Sequence, residues 1–197
     1  MDEPTASLGT DRTITRRSVL GGVGAVGLGA VAGCLGTGDD DLPDPISIDD
    51  DQDCDQCTMV IENHPGPAGQ AHYEDPTAVL DEDRPAQFCS SLCAYAFTFD
   101  HEGEADPDVI YVTDYSSVDY AIESDNGADV ISRHLDADAF GDVEGLTLLV
   151  DSDVDGAMGS SIVGFSDGDE AADFQDDYGG DSYDHDEITS ELVMSLM

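Results

Sequence analysis

Four cysteines stand at positions 54, 57, 89 and 93, in the contexts CDQCTM and FCSSLC. Met59 follows Cys57 by two places, and on an extended strand residues two apart project from one face, so a thiolate and a thioether can meet one ion there. Soft sulfur donors of this kind select Cu(I). Cys89 and Cys93 are four apart on a predicted helix, which also puts them on one face and makes a second thiol pair available. Of the five histidines, His64, five residues beyond Met59, is the candidate extra ligand, with His72 next. Met158 sits among glycines in DGAMGSS, where it has no core to fill, and reads as a ligand or contact.

Other chemistries fit the same cysteines. In an exported chain four cysteines suggest two disulfides, with three connectivities open. A zinc site of four thiolates can use CxxC followed by CxxxC, although it gives Met59 no role. A redox CxxC would start a helix that lowers the first thiol's pKa. Here a predicted strand follows instead, which argues against oxidoreductase activity. Calcium is disfavoured: DSDVDG at 151–156 opens like a calcium loop, but position twelve is Ile162 and not the closing Glu.

The elements that must position these sulfurs follow from the pattern around them. CTMVIENH and GQAHYE are β-prone and are separated by Pro65, Gly66, Pro67 and Gly69, which predicts a hairpin. In PAQFCSSLCAYAFTF, Phe88, Leu92, Tyr95 and Phe99 recur as one buried helical stripe. DVIYVTDY then reads as an interior strand. The order recurs later: GLTLLVDS and SSIVGFS as strands, DEAADFQDDY as a helix capped by Asp167 or Asp169 and stopped at Gly179 and Gly180, then a short strand within 181–188. The fold class is therefore α+β, with two ββαβ-like halves. Residues 121–144 fit no clear element, and the tail ITSELVMSLM reads as a helix or a frayed end.

The N-terminus is an address. Arg16 and Arg17 precede a Gly- and Ala-rich run from Val19 to Gly33 that is too short and too weakly apolar for a stable span, as in a twin-arginine signal. Ala32, Gly33 and Cys34 look like a lipobox, with Cys34 the lipid-bearing residue after cleavage. Residues 1–33 are then signal and 34–53, with eight Asp among Leu35–Asp53, an acidic lipid-anchored linker. The working domain is expected over 54–188 and a C-terminal tail over 189–197.

Composition bounds the partners. The 197 residues carry 46 acids against five arginines and no lysine, a net charge of −41. Such a surface repels phosphate backbones and anionic headgroups, so the sequence excludes nucleic acid as a partner and a polybasic membrane mode. The acids are spread over every segment, as suits a protein working at high salt, where the Debye length shrinks to about 3 Å.

Taken together, the CxM of Cys57 and Met59, ENHPGPAGQ, FCSSLC, VIYVTDY, GAMG around Met158 and GFSDGDEAADFQDDYGG resemble the NosL family of copper-binding lipoproteins associated with nitrous oxide reductase maturation. The resemblance implies a NosL-like domain that is not an enzyme but a Cu(I) carrier. It would receive copper from a membrane copper-handling transport assembly and deliver it to the nitrous oxide reductase apoprotein. It also implies a lipid anchor on the outer face of the cytoplasmic membrane after twin-arginine export, with a homodimer possible. Cys57 and Met59 match the family's copper-binding Cys and Met, and Met158 matches its glycine-flanked Met. Cys54, Cys89 and Cys93 depart from the pattern of a lone Cys in the CxM, and stand as a disulfide, a second metal site or a tighter thiolate shell.

Overall fold

Short β-branched and aromatic runs between turn residues give most of the strands, and the computed structural model describes residues 42–125 and 127–197. The signal, the lipobox and Cys34 lie outside the described residues. The first half consists of β1 (Gly69–His72), β2 (Ala86–Phe88), α1 (Ser91–Asp100) and β3 (Val109–Thr113). Strand β1 pairs antiparallel with β2 on one side and β3 on the other, so α1 is the crossover between two strands that flank β1.

Residues 121–144 prove structured. Gly127, at φ +95°, turns a hairpin of β4 (Ile122–Asp125) and β5 (Ala128–Ile131), and β6 (Phe140–Asp142) extends the first sheet beyond β3. The second half follows as β7 (Thr147–Val150), β8 (Val154–Asp155), β9 (Ile162–Phe165), α2 (Gly168–Tyr178) and β10 (Asp181–Tyr183). Strand β7 pairs antiparallel with β9 and β10, as β1 does with β2 and β3. The two ββαβ halves therefore share one topology, with β8 inserted in the second to pair parallel with β5.

Helix α2 is capped at Asp167, whose carboxylate accepts from the Asp169 and Glu170 amides, and it ends at Gly179 and Gly180, both at positive φ. The halves meet where β3 runs out: Asp114 forms a parallel bridge with Gly164 of β9. A Cβ on Gly164 would stand 2.8 Å from a Leu146 methyl and 3.3 Å from the Thr113 carbonyl, so only glycine permits that approach. The buried Asp114 carboxylate accepts from the Ser116 and Ser166 amides across the same junction.

Three expectations need correction. CTMVIENH is not the first strand of a hairpin. Val60 makes a single bridge to Asp53, Ile61–Asn63 form a 3-10 turn, and β1 pairs with β2 instead. Helix α1 is not a single buried stripe. Every residue from Ser91 to Thr98 is buried, because the sheet, β9 and the terminal helix α3 (Ser190–Leu196) all touch it. Phe88 and Cys89 precede it, with Ser90 as its N-cap.

The stretch expected to be a solvated linker also packs onto the domain from Pro43 onward. Tyr111 donates its hydroxyl to the Pro43 carbonyl, Gln70 exchanges hydrogen bonds with both backbone groups of Ile46, and Ile48 is 4% exposed. At the other end, α3 is an ordered helix that buries Val193. No helix among the described residues is long and apolar enough to cross a membrane.

Candidate metal centre

The CDQC loop closes on itself through two backbone bonds. The Cys54 amide donates to the Met59 carbonyl and the Thr58 amide to the Cys54 carbonyl, each at 2.8 Å. Thr58 takes φ +64° to complete the turn, a conformation that costs a β-branched residue about 1 kcal/mol or more. The loop is then fastened to β2. The Asp55 carboxylate holds Arg84 through two bonds of 2.7 Å and accepts from the Gln87 amide at 2.7 Å, while the Asp55 amide donates to the Gln87 carbonyl. Gln87 lies two residues before Cys89, so the fastening brings the first cysteine pair to the second.

The sulfurs of Cys54, Cys57, Cys89 and Cys93 all lie within 4.8 Å of one another. Cys57 Sγ is 3.4 Å from Cys89 Sγ, and Cys89 Sγ is 3.8 Å from Cys93 Sγ; all four are free thiols. For an ion with bonds to sulfur of about 2.3 Å, a tetrahedral thiolate shell has edges of about 3.8 Å. The group therefore has the dimensions of a metal shell before any ion enters.

Cys54, Cys89 and Cys93 are buried and Cys57 is partly exposed. Thiol hydrogen bonds from Cys89 and Cys93 draw the Cys54 thiol far below its ordinary range. The hydrogen bond with Cys54, and after it burial, pushes Cys89 and Cys93 up, Cys93 to about 12. Binding of a soft cation by such buried thiols displaces their protons.

The NosL family model matches residues 45–193. The chain belongs to the NosL family. Among solved structures it is similar to the copper chaperone NosL from Shewanella denitrificans, with 28% identity over 74% of this chain and 95% of that chain and a TM-score of 0.57. A search of curated proteins returned no match.

This NosL domain gathers four of the seven candidate ligands, Cys54, Cys57, Cys89 and Cys93, into one group of thiols. Met59 is partly buried against the same core, but the strand that would have put it on the face of Cys57 is absent, because Thr58 turns the chain between them. His64 follows the 3-10 turn and uses its carbonyl to accept from Arg133 at 2.8 Å. Met158 is also partly buried against that core, in a loop that rests on the HPGP segment: a Cβ on Gly156 would stand 2.9 Å from the Gly66 carbonyl oxygen. His72 is buried elsewhere, with Nε2 2.9 Å from Gln70 Oε1.

Cys89 and Cys93 do converge, though not as two positions on one helix. Cys89 precedes the cap and Cys93 sits in the first turn, where its amide donates to Ser90 Oγ. Sequence reasoning missed Asp55, Arg84 and Gln87 as the residues that hold the site closed. Arg84 carried a signal, since it is one of only two arginines after Cys34.

Proposed function

We propose that this NosL domain is a carrier of Cu(I) outside the cytoplasmic membrane, tethered through a lipid on Cys34 and serving the maturation of nitrous oxide reductase. The observation that supports it most is the preformed group of four free thiols with one member, Cys57, partly exposed. The solved relative is described as a copper chaperone, and soft donors of this kind favour monovalent copper. Transfer is by ligand exchange: an acceptor sulfur or imidazole joins the ion at Cys57, with Met59 as the accompanying thioether, and draws it away without the ion becoming free. Met158 and His64 are the further candidates to complete the exchange position. The acceptor is the reductase apoprotein and the donor a membrane transport assembly. Donor and acceptor need no long-range electrostatic steering if the medium is salty.

The size of the thiol group specifically favours a second reading, a single structural zinc held by all four cysteines. Metal analysis with thiol counting on anaerobically purified protein separates the two. The copper reading expects four reactive thiols in the apoprotein and stoichiometric Cu(I) uptake on titration. One tightly held zinc that Cu(I) does not displace rejects it.

A further inference from the structure

We propose that Cys54, Cys89 and Cys93 form a buried holding site for Cu(I), one step inward from the exchange position at Cys57 and Met59. The proposal rests on the copper reading above and adds a second resting place for the same cargo. Its basis is an asymmetry within the cluster. Cys54, Cys89 and Cys93 are 1%, 1% and 0% exposed, whereas Cys57 is partly open to solvent.

Three thiolates around Cu(I) in a plane, with metal–sulfur bonds of about 2.3 Å, stand about 4.0 Å apart. The observed 3.8 Å between Cys89 and Cys93 and the 4.8 Å limit for all pairs need only small side-chain adjustments to reach that arrangement. Entry needs no redox step. The ion leaves one surface ligand at a time, each buried thiol gives its proton to solvent as it binds, and copper stays monovalent. Cys57 bridges the two positions, since its sulfur is already 3.4 Å from that of Cys89.

Burial of a thiolate shell around one monovalent cation leaves excess negative charge, which the surroundings must offset. Helix α1 begins at Ser91, so Cys89 and Cys93 both lie within one turn of its positive N-terminal end. Arg84 neutralises Asp55, the carboxylate between the two loop cysteines.

The functional consequence concerns competing ligands. A small anion such as chloride can bind a two-coordinate Cu(I) at the surface, but it reaches a shell of sulfurs that are at most 1% exposed only after the domain opens. The holding site would therefore retain cargo in chloride, and Cys57 would set how fast it leaves.

The experiment is a Cu(I) titration of the full chain against a chromophoric Cu(I) chelator at 0.1 and 3 M KCl, with transfer to that chelator followed by stopped flow. The wild type, Cys93→Ala and the double variant Cys57→Ser, Met59→Leu are compared, with circular dichroism to confirm folding. The expected result is that Cys93→Ala loses at least tenfold in affinity at 0.1 M KCl and a further tenfold at 3 M. The double variant, which removes two of the proposed ligands, loses affinity by less than tenfold at either salt, less than Cys93→Ala does, and transfers at least tenfold more slowly. If the double variant loses tenfold or more in affinity, or Cys93→Ala binds like the wild type at both salts, the holding site is overturned while the copper reading stands. The double variant changes no fully buried residue, so it decides the matter even if Cys93→Ala fails to fold. Absence of Cu(I) binding by the wild type defeats the copper reading itself.

Discussion

Cys57 Sγ rests 3.4 Å from Cys89 Sγ, so a six-residue loop meets a strand end 32 positions further along the chain. Neither element could hold that contact alone. The loop reaches β2 through Asp55, and Asp55 is held by Arg84, whose charge the two carboxylates of Asp55 and Glu82 strengthen.

Arg84→Gln tests this fastening. Its two bonds to the Asp55 carboxylate are partly buried, and loss of charge-assisted bonds of this kind costs about 2 kcal/mol. The expected outcome is a lower urea midpoint and a tenfold weaker Cu(I) affinity, because the loop cysteines lose their fixed distance from Cys89. Arg133→Gln is the control. Arg133 makes an exposed bond to the His64 carbonyl, and its loss should leave Cu(I) affinity within twofold.

The second half was the more legible because GLTLLVDS, SSIVGFS and DEAADFQDDY carried their own periodicity and turn residues, as at Asp167, Gly179 and Gly180, whereas β2 was read into the helix that follows it. CTMVIENH misled because β-prone residues say nothing about the Thr58 turn, which tertiary fastening imposes through Asp55. The stripe on α1 misled for a related reason: periodicity finds one face, but α3 and β9 cover others, and no local signal announces those partners. Cys89 and Cys93 were legible as a pair, whereas their convergence with Cys54 and Cys57 is a long-range contact that spacing alone could not establish. Ile48 and Pro43 were hidden by the acidic composition around them, since one buried apolar side chain and a few backbone bonds dock an otherwise polar strap.

Gly156→Ala probes the Met158 loop. The added methyl would stand 2.9 Å from the Gly66 carbonyl oxygen and 3.1 Å from Ser161 Cβ, and backbone on one side cannot yield without moving the loop. Overpacking of this kind costs about 1–3 kcal/mol. Thermal unfolding should record that loss. If Met158 serves the exchange position, transfer to a chelator should slow at least threefold. Gly145→Ala, with open space around its Cβ, should change stability by less than about 0.5 kcal/mol.

His72 makes folding sensitive to mild acid. Burial pushes its pKa below the ordinary value, against a smaller opposing pull from Asp108. The unfolded chain then binds a proton that the folded chain refuses, so stability is complete above about pH 6.5 and falls as pH drops below it. The urea midpoint should decline between pH 7.5 and 5.5, and His72→Gln should flatten the decline. Part of the slope should survive in that variant, because burial also lowers His134. An unchanged slope would show that His72 does not contribute.

The acidic surface gives the last test. Beyond Cys34 the chain has 43 acids against Arg84 and Arg133, and Arg84 alone supplies the ion pairs found among the described residues. Raising salt from 0.15 to 1 M shortens the Debye length from about 8 to about 3 Å, so repulsion between neighbouring carboxylates fades while buried contacts persist. Unfolding should therefore move up by about 10 °C or more between 0.1 and 3 M KCl. The C-terminal turn of α2 localises the effect, because Asp176 and Asp177 are exposed there, at the negative end of the helix dipole, with no basic residue to offset them. Asp176→Lys with Asp177→Lys should gain about 1 kcal/mol at 0.1 M KCl and almost nothing at 3 M. An equal gain at both salts would mean that helix propensity, not charge, stabilises the variant.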